Sequence, residues 1–167
     1  KAFQGGDSEE DHRFIRTAVI ATAWQESCWR QFHVRKGQLT YVRSYNATSV
    51  GLMQINERVW RGLYKLEALR WNIHYNALAG CDILNLYLTK YILKKKDKFL
   101  REGKLDPGLV ARTLYAMYNG GPGEYKSFLA RHGKGKYYLS DNLFWEKYQW
   151  VAAEDWDKVS VCLFGEE

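Results

Sequence analysis

The longest amphipathic pattern in the chain covers about residues 72–98, where apolar side chains recur at helical spacing. Ile73, Ala77 and Leu84 lie on this apolar stripe, and the stripe predicts one long helix. Cys81 falls on the same stripe, so we expect it to be a buried core thiol.

A first helix is predicted near the start of the chain. Asp7 or Ser8 can serve as its N-cap, and the turn that follows is acidic, which complements the helix dipole. Apolar residues then recur at helical spacing, and we expect this helix to end near residues 32–37. Residues 38–46 alternate in polarity and contain β-branched side chains, which favours a short strand or hairpin.

The second half of the chain carries clear signals for helix ends. Asp106 followed by Pro107 predicts a helix start, and the sequence Asn-Gly-Gly-Pro at residues 119–122 predicts the end of that helix. Shorter helices are expected over about 123–131 and 141–155. The whole pattern predicts a mainly α fold with one small hairpin.

Length and charge limit the function classes. The chain has 167 residues, which suits a single domain over residues 1–167. Its formal net charge is +6, which favours an acidic partner such as a nucleic acid, an anionic membrane or a cell wall. No nucleic-acid-binding motif accompanies the charge, and we interpret the basic residues 94–98 as a solvated helix end. Aromatic residues make up 16% of the chain, and their rings suit either a core or a sugar-binding cleft.

The sequence holds no pattern for a metal site, a cofactor or a membrane-spanning helix. The four histidines are scattered, and Cys28, Cys81 and Cys162 lack metal-binding spacing. Three cysteines leave at least one thiol unpaired within a monomer. No apolar run reaches membrane-spanning length. The chain opens without a signal peptide, as expected for a mature or excised domain.

Glu26 is the anomalous residue of the first helix. It falls on the apolar face, in line with Ala18, Thr22 and Trp29, where an aliphatic residue is expected. A carboxylate removed from water must be hydrogen-bonded, paired or neutral, and desolvation should raise its pKa. Glu26 is therefore either a general acid or a structural carboxylate held by donors, and the helix pattern alone leaves both readings open.

Two later motifs favour the general acid. Gly-Leu-Met-Gln-Ile at residues 51–55 places a polar glutamine among apolar residues, and Tyr-Asn-Gly-Gly follows at residues 118–121. Together with Glu-Ser at residues 26–27, and in this order, these motifs resemble the soluble lytic transglycosylases, which have a goose-lysozyme-like fold. The resemblance covers about residues 15–151.

The resemblance implies a lysozyme-like α+β fold and an enzyme that cleaves peptidoglycan between N-acetylmuramic acid and N-acetylglucosamine. It implies that the enzyme acts in the cell envelope, in the periplasm or another extracytoplasmic space. Peptidoglycan strands are the implied partner, and no cofactor is implied. We expect a monomer, either alone or within a larger parent protein.

The family's site residues carry over onto matching positions. Glu26 is the implied catalytic acid, Gln54 matches a glutamine that contacts the acetamido group, and Tyr118 matches a tyrosine close to the acid. The substrate-binding residues implied in this way are Ser27, Met53, Gln54, Asn56, Tyr118, Asn119 and Glu146.

Several of these positions also have structural explanations. Met53 and Tyr118 suit core packing, and Asn119 suits a helix C-cap. The segment between the Glu-Ser and Gly-Leu-Met-Gln motifs is longer than in typical members. Its extra residues, 33–45, are expected beside the cleft, where the predicted hairpin would lie.

No second carboxylate has a convincing claim to catalysis, since Glu57 and Glu67 look like helix-surface residues. We therefore expect Glu26 to act first as acid and then as base, which leaves a 1,6-anhydromuramoyl end on the product. A goose-type lysozyme that hydrolyses the same bond is the first alternative. A peptidoglycan-binding module without turnover is the second.

Overall fold

In the computed structural model, residues 3–164 are described, except for the side chains at 161, 163 and 164. Helices take 62% of the residues and the sheets are small, antiparallel and two-stranded, which confirms the mainly α fold class. The α-helices are α1 (Glu9–Ser27), α2 (Glu57–Trp60), α3 (Leu66–Trp71), α4 (Ile73–Tyr87), α5 (Pro107–Gly120), α6 (Glu124–His132), α7 (Leu139–Ala152) and α8 (Val159–Phe164). The strands are β1 (Phe32–Arg35), β2 (Gln38–Tyr41), β3 (Ser49–Val50), β4 (Ile55–Asn56), β5 (Leu100–Arg101) and β6 (Lys104–Leu105).

The chain divides into two compact units. The first unit comprises Lys1–Ala21 and Ile83–Asp155, and the second comprises Thr22–Asp82 and Trp156–Glu167. The boundaries fall within α1 and within α4. The prediction of a single domain over residues 1–167 stays a prediction.

Helix α1 begins with the predicted cap and ends earlier than predicted. The Ser8 hydroxyl accepts the Asp11 N–H at 3.2 Å, while the Asp11 carboxylate accepts the Ser8 N–H at 3.1 Å, so the two residues form a capping box. Burial of Asp11 disfavours its charge, but hydrogen bonds from Ser8 and from the Gln4 and Gly5 backbones lower the pKa of its carboxyl. The helix ends at Ser27, not near residues 32–37, because the next two residues have φ of 54° and leave the helical path.

The long helix predicted over residues 72–98 is divided into three pieces. Regular α4 ends at Tyr87, a π-helical turn covers Leu88–Ile92, and a 3₁₀ segment covers Leu93–Phe99. Lys95 has non-helical φ and ψ of −132° and 45°, which breaks the path within the basic stretch. Cys81 is half-buried, so the expectation of a buried core thiol was only partly right.

The first unit is organised around α5. Asp106 caps this helix by accepting the Leu109 N–H at 3.0 Å, and Pro107 occupies the first turn, as the sequence predicts. The helix stops at Gly120, with Gly121 at φ 85° as its cap. Seven of its residues are buried, and Tyr115 stacks on Phe144 of α7 with ring centroids 4.2 Å apart.

The second unit contains the predicted hairpin and a disulfide bond. Strands β1 and β2 pair in register from Phe32 opposite Tyr41 to Arg35 opposite Gln38, so the hairpin exists but covers residues 32–41, not the predicted 38–46. A disulfide joins Cys28 and Cys162, across a sequence separation of 134 residues. Among the described residues, no helix is long and apolar enough to cross a membrane.

Replacing both Cys28 and Cys162 with serine should lower the free energy of unfolding by about 2–4 kcal/mol, since the bridge restrains a long loop of the unfolded chain. Guanidinium unfolding followed by circular dichroism measures this change. Cys81→Ser is the control and should have a smaller effect. Equal stability of the double variant and the wild type would contradict the bridge.

Candidate active site

The Gly-Leu-Met-Gln motif forms a tight loop between two short strands. Val50 of β3 pairs with Ile55 of β4, so residues 51–54 make the whole connection. Gly51 and Gln54 both have positive φ, 78° and 48°, and the Gln54 N–H donates to the Gly51 carbonyl at 3.1 Å. A positive φ at a non-glycine residue costs about 1–2 kcal/mol, so the surrounding structure must hold this loop in place.

Two buried side-chain amides accept backbone N–H groups of this loop and so fix its conformation. The Gln31 Oε1 atom accepts the Leu52 N–H at 2.7 Å, and the Asn76 Oδ1 atom accepts the Met53 N–H at 2.8 Å. Gln31 is 2% exposed and Asn76 is fully buried. We call this pair, Gln31 and Asn76, the amide clamp.

The donor ends of the amide clamp are also satisfied. Gln31 donates to the carbonyls of Leu69 and Arg70 at the end of α3, and Asn76 donates to the carbonyls of Leu69 and Val50. The clamp therefore joins α3 and α4 to the loop through buried hydrogen bonds. Breaking such a network costs free energy of folding, because the loss of any partner leaves a buried polar atom unpaired.

Position 51 requires glycine because its φ is positive and because there is no room for a side chain. A Cβ atom at this position would lie 2.4 Å from Asn76 Nδ2 and 2.5 Å from Gln31 Oε1. Any side chain here would push the amide clamp apart. The clamp explains why the motif opens with glycine.

Ser27 joins this loop to the helix that carries Glu26. Its hydroxyl donates to the Leu52 carbonyl at 2.6 Å and accepts the Arg30 N–H at 3.1 Å. Ser27 is buried, so its role is to fix the end of α1 against the loop. The Glu-Ser and Gly-Leu-Met-Gln motifs are therefore in direct contact.

Glu26 is half-buried in the last turn of α1. Its neighbours Thr22, Ala23 and Ser27 are buried, which agrees with the predicted apolar face. The carboxylate thus combines a partly dry setting with some access to a ligand. An acid that must reach a bound sugar needs both properties.

Gln54 has an amide whose orientation is set by the loop. Its Nε2 atom donates to the Gly51 carbonyl at 2.8 Å, and this assigns the donor end of the amide. Within the described part of the second unit, no residue donates a hydrogen bond to the Gln54 Oε1 atom. Gln54 is half-buried, so this oxygen is an acceptor suited to an N–H group of a ligand.

Met53 and Asn56 have clear structural roles. Met53 is 1% exposed and packs on α4, where a Cβ at Gly80 would lie 2.6 Å from the Met53 side chain. This burial favours a packing role over the predicted contact with substrate. Asn56 caps α2, with Oδ1 accepting the N–H groups of Arg58 and Val59 at 3.0 and 3.2 Å.

Glu57 is not a helix-surface residue, so that prediction was wrong. It is 8% exposed and its Oε1 atom accepts from Arg70 at 2.5 Å, with Arg43 3.6 Å from Oε2. The hydrogen bond to Glu57 raises the pKa of Arg70. Sequence reasoning missed this carboxylate because its partner lies 13 residues away, in α3.

The remaining predicted residues belong to the first unit. Tyr118 is half-buried near the end of α5, while Asn119 and Glu146 are exposed, on α5 and α7 respectively. Asn119 is not the C-cap, since Gly121 takes that position. Glu26 and Tyr118 therefore lie in different units, and the prediction that they meet in one site stays a prediction.

Sequence reasoning also missed the amide clamp. Asn76 was detectable as a polar residue on a largely apolar helix, but Gln31 has no local signal, since its partners lie 21 to 39 residues away. Among the described residues, no group of His, Cys, Asp and Glu side chains could hold a metal ion.

A cavity of about 240 Å³ lies in the first unit, apart from the predicted site residues. Phe3, Ile15 and Leu93 provide much of its apolar lining, and Asp7, Asp11 and His12 are among its polar residues. Asp11 is already committed to the helix cap, and His12 to Asp7 at 2.6 Å. The cavity therefore gives no support to the predicted site.

Comparisons of this chain with family models, curated proteins and solved structures found no match. The resemblance to lytic transglycosylases therefore depends on the three sequence motifs, and the lysozyme-like form of the fold stays a prediction.

Gly51→Ala should destabilise the protein by about 2–4 kcal/mol, because it combines a disfavoured φ with steric overlap at the amide clamp. Gly37→Ala is a matched control, since Gly37 has φ 75° and no heavy atom within 4 Å of a built Cβ. The control should lose only about 1–2 kcal/mol. Equal losses in denaturant unfolding would show that the clamp does not crowd Gly51.

Proposed function

We propose that this protein is a lytic transglycosylase that cleaves the glycan strands of peptidoglycan. The observation that carries the proposal is the hydrogen bond from Ser27 to the Leu52 carbonyl, which fixes the Glu26 helix end to the Gly-Leu-Met-Gln loop. A half-buried carboxylate and an oriented amide acceptor are thereby held in one rigid assembly. Peptidoglycan strands carry the glycosidic oxygens and acetamido groups that such a pair would engage.

In the first step, Glu26 donates its proton to the glycosidic oxygen between N-acetylmuramic acid and N-acetylglucosamine. The bond from that oxygen to C1 of the muramoyl residue breaks, and its electron pair leaves with the oxygen. The carbonyl oxygen of the substrate's own acetamido group stabilises the positive charge at C1. Glu26 is left as a carboxylate.

In the second step, Glu26 acts as a base. It takes the proton of the muramoyl C6 hydroxyl, and the C6 oxygen forms a bond to C1. The products are an N-acetylglucosamine end and a 1,6-anhydromuramoyl end, and no water is consumed. Glu26 regains its proton, so one carboxylate serves both steps.

The pairing of Glu57 supports a mechanism with a single catalytic carboxylate. Among the described acids of the second unit, Glu57 is the other one removed from solvent, and Arg70 and Arg43 hold it as an ion pair. Both of its oxygens face guanidinium groups, so neither is presented to a sugar. Glycosidases with two catalytic carboxylates need both of them to reach the sugar.

Gln54 is the residue that we assign to substrate orientation. Its Nε2 atom is committed to the Gly51 carbonyl, so its Oε1 atom can accept the acetamido N–H of the sugar. That hydrogen bond would position the acetamido carbonyl toward C1. The sequence resemblance also implies Tyr118, Asn119 and Glu146 as substrate contacts.

Digestion of purified peptidoglycan, followed by mass spectrometry, tests the chemistry. Wild-type protein should release fragments with 1,6-anhydromuramoyl ends, and Glu26→Gln should slow release at least about 100-fold because it removes the transferable proton. Circular dichroism checks that the variant remains folded.

Other results of the same digestion would favour the two alternative functions, a goose-type hydrolase or a binding module. Reducing ends that carry added water would show a goose-type hydrolase in place of a transglycosylase. Binding to the cell wall without any release of fragments, at equal rates for wild type and Glu26→Gln, would show a binding module.

Gln54→Met should lower kcat/KM on peptidoglycan by roughly tenfold or more, because it removes the acceptor for the acetamido group while keeping side-chain length. Gln38→Met is the control, since Gln38 is an exposed glutamine of the hairpin. Unchanged turnover in the Gln54 variant would remove Gln54 from the substrate contacts.

A further inference from the structure

The hairpin formed by β1 and β2 projects its tip into solvent. Its two-residue turn, Lys36 and Gly37, has φ of 51° and 75°, which suits the twist of a tight hairpin. Every residue from His33 to Leu39 is exposed. The tip therefore makes little use of its side chains within the fold.

One face of the hairpin is apolar along its whole length. Phe32 and Tyr41 form the inner cross-strand pair of this face, and Val34 and Leu39 form the outer pair. Trp71 of α3 covers the inner pair, with ring centroids 6.1 Å from Phe32 and 5.2 Å from Tyr41. These contacts anchor the base of the hairpin.

The outer pair is left uncovered. Val34 is 70% exposed and Leu39 is 62% exposed, although they lie directly opposite each other. This cross-strand pair adds a little to the stability of the hairpin, but most of its apolar surface stays in contact with water. Exposed apolar groups gathered in this way commonly mark an interaction site.

The charge around the tip has one sign. The sequence contains no Asp or Glu between Glu26 and Glu57. The side chains of Arg35 and Lys36, at the turn itself, make no hydrogen bond or ion pair with another described residue. Their long side chains can therefore reach past the aliphatic pair to an acidic surface.

We propose that this hairpin tip docks on an anionic lipid bilayer. Val34 and Leu39 would enter the boundary between headgroups and acyl chains, while Arg35 and Lys36 contact lipid phosphates. An acidic polysaccharide would satisfy the cations but would leave the aliphatic pair without a partner. A bilayer satisfies both, and this combination decides between the two acidic surfaces.

The site is separate from the proposed chemistry. It uses neither Glu26 nor the Gly-Leu-Met-Gln loop, and it requires no helix to cross the bilayer. Failure of the membrane test would leave the proposed lytic activity untouched, and failure of the activity would leave membrane docking untouched.

Sedimentation with lipid vesicles tests the proposal. Wild-type protein should bind vesicles that contain phosphatidylglycerol, bind vesicles of pure phosphatidylcholine weakly, and dissociate as salt is raised. Val34→Ser combined with Leu39→Ser should weaken binding by about tenfold or more. Val59→Ser combined with Leu63→Ser is the matched control, since these residues are 66% and 73% exposed, and it should bind like the wild type.

Two double variants test whether the cationic side chains at the tip contribute to binding. Arg35→Gln combined with Lys36→Gln should weaken binding to anionic vesicles about tenfold or more. Lys134→Gln combined with Lys136→Gln removes the same charge from another exposed loop and should have a much smaller effect. Equal effects of the two double variants would show attraction by net charge alone and would overturn the docking site.

Three other results would also overturn the proposal. One is absence of binding to anionic vesicles by the wild-type protein. The second is self-association without lipid that the Val34 and Leu39 variant abolishes, which would make the tip an interface between copies. The third is loss of binding to insoluble peptidoglycan in that variant with vesicle binding unchanged, which would make the tip a cell-wall contact.

Discussion

The second unit depends on the contact between the amide clamp and Gly51. Gln31 and Asn76 use both ends of their amides, so each joins the loop to α3 through fully paired buried hydrogen bonds. A loop with two positive φ angles does not hold its shape by itself. The amide clamp fixes the conformation of the loop, and the hydrogen bond from Ser27 to Leu52 joins the loop to the end of α1.

Local signals predicted the starts of elements well. Ser8 with Asp11 and Asp106 with Pro107 act through neighbours within three residues, so their effect can be read directly from the sequence. The ends of elements were harder. No residue type demands the left-handed conformation that stops α1 after Ser27, and residues 88–92 contain no glycine or proline that would mark the π-helical turn after α4.

The residues of the candidate site also differ in how well the sequence alone predicts them. Glu26 and Gln54 were detectable because a polar residue in an apolar setting requires an explanation. Gln31 was not, because its partners come from the loop and from α3. Glu57 was misread for the same reason, since its burial depends on Arg70, which approaches from another helix.

Glu26 and Glu57 show how one unit can place two carboxylates in different surroundings. Glu57 is buried, and its two carboxylate oxygens face Arg70 and Arg43. Glu26 is half-buried, at a helix end that Ser27 joins to the loop by a hydrogen bond. A group that must both give and take a proton at a glycosidic bond must also be able to reach the bound sugar. Under the proposed function, the half-buried position of Glu26 therefore suits this reaction better than the buried position of Glu57.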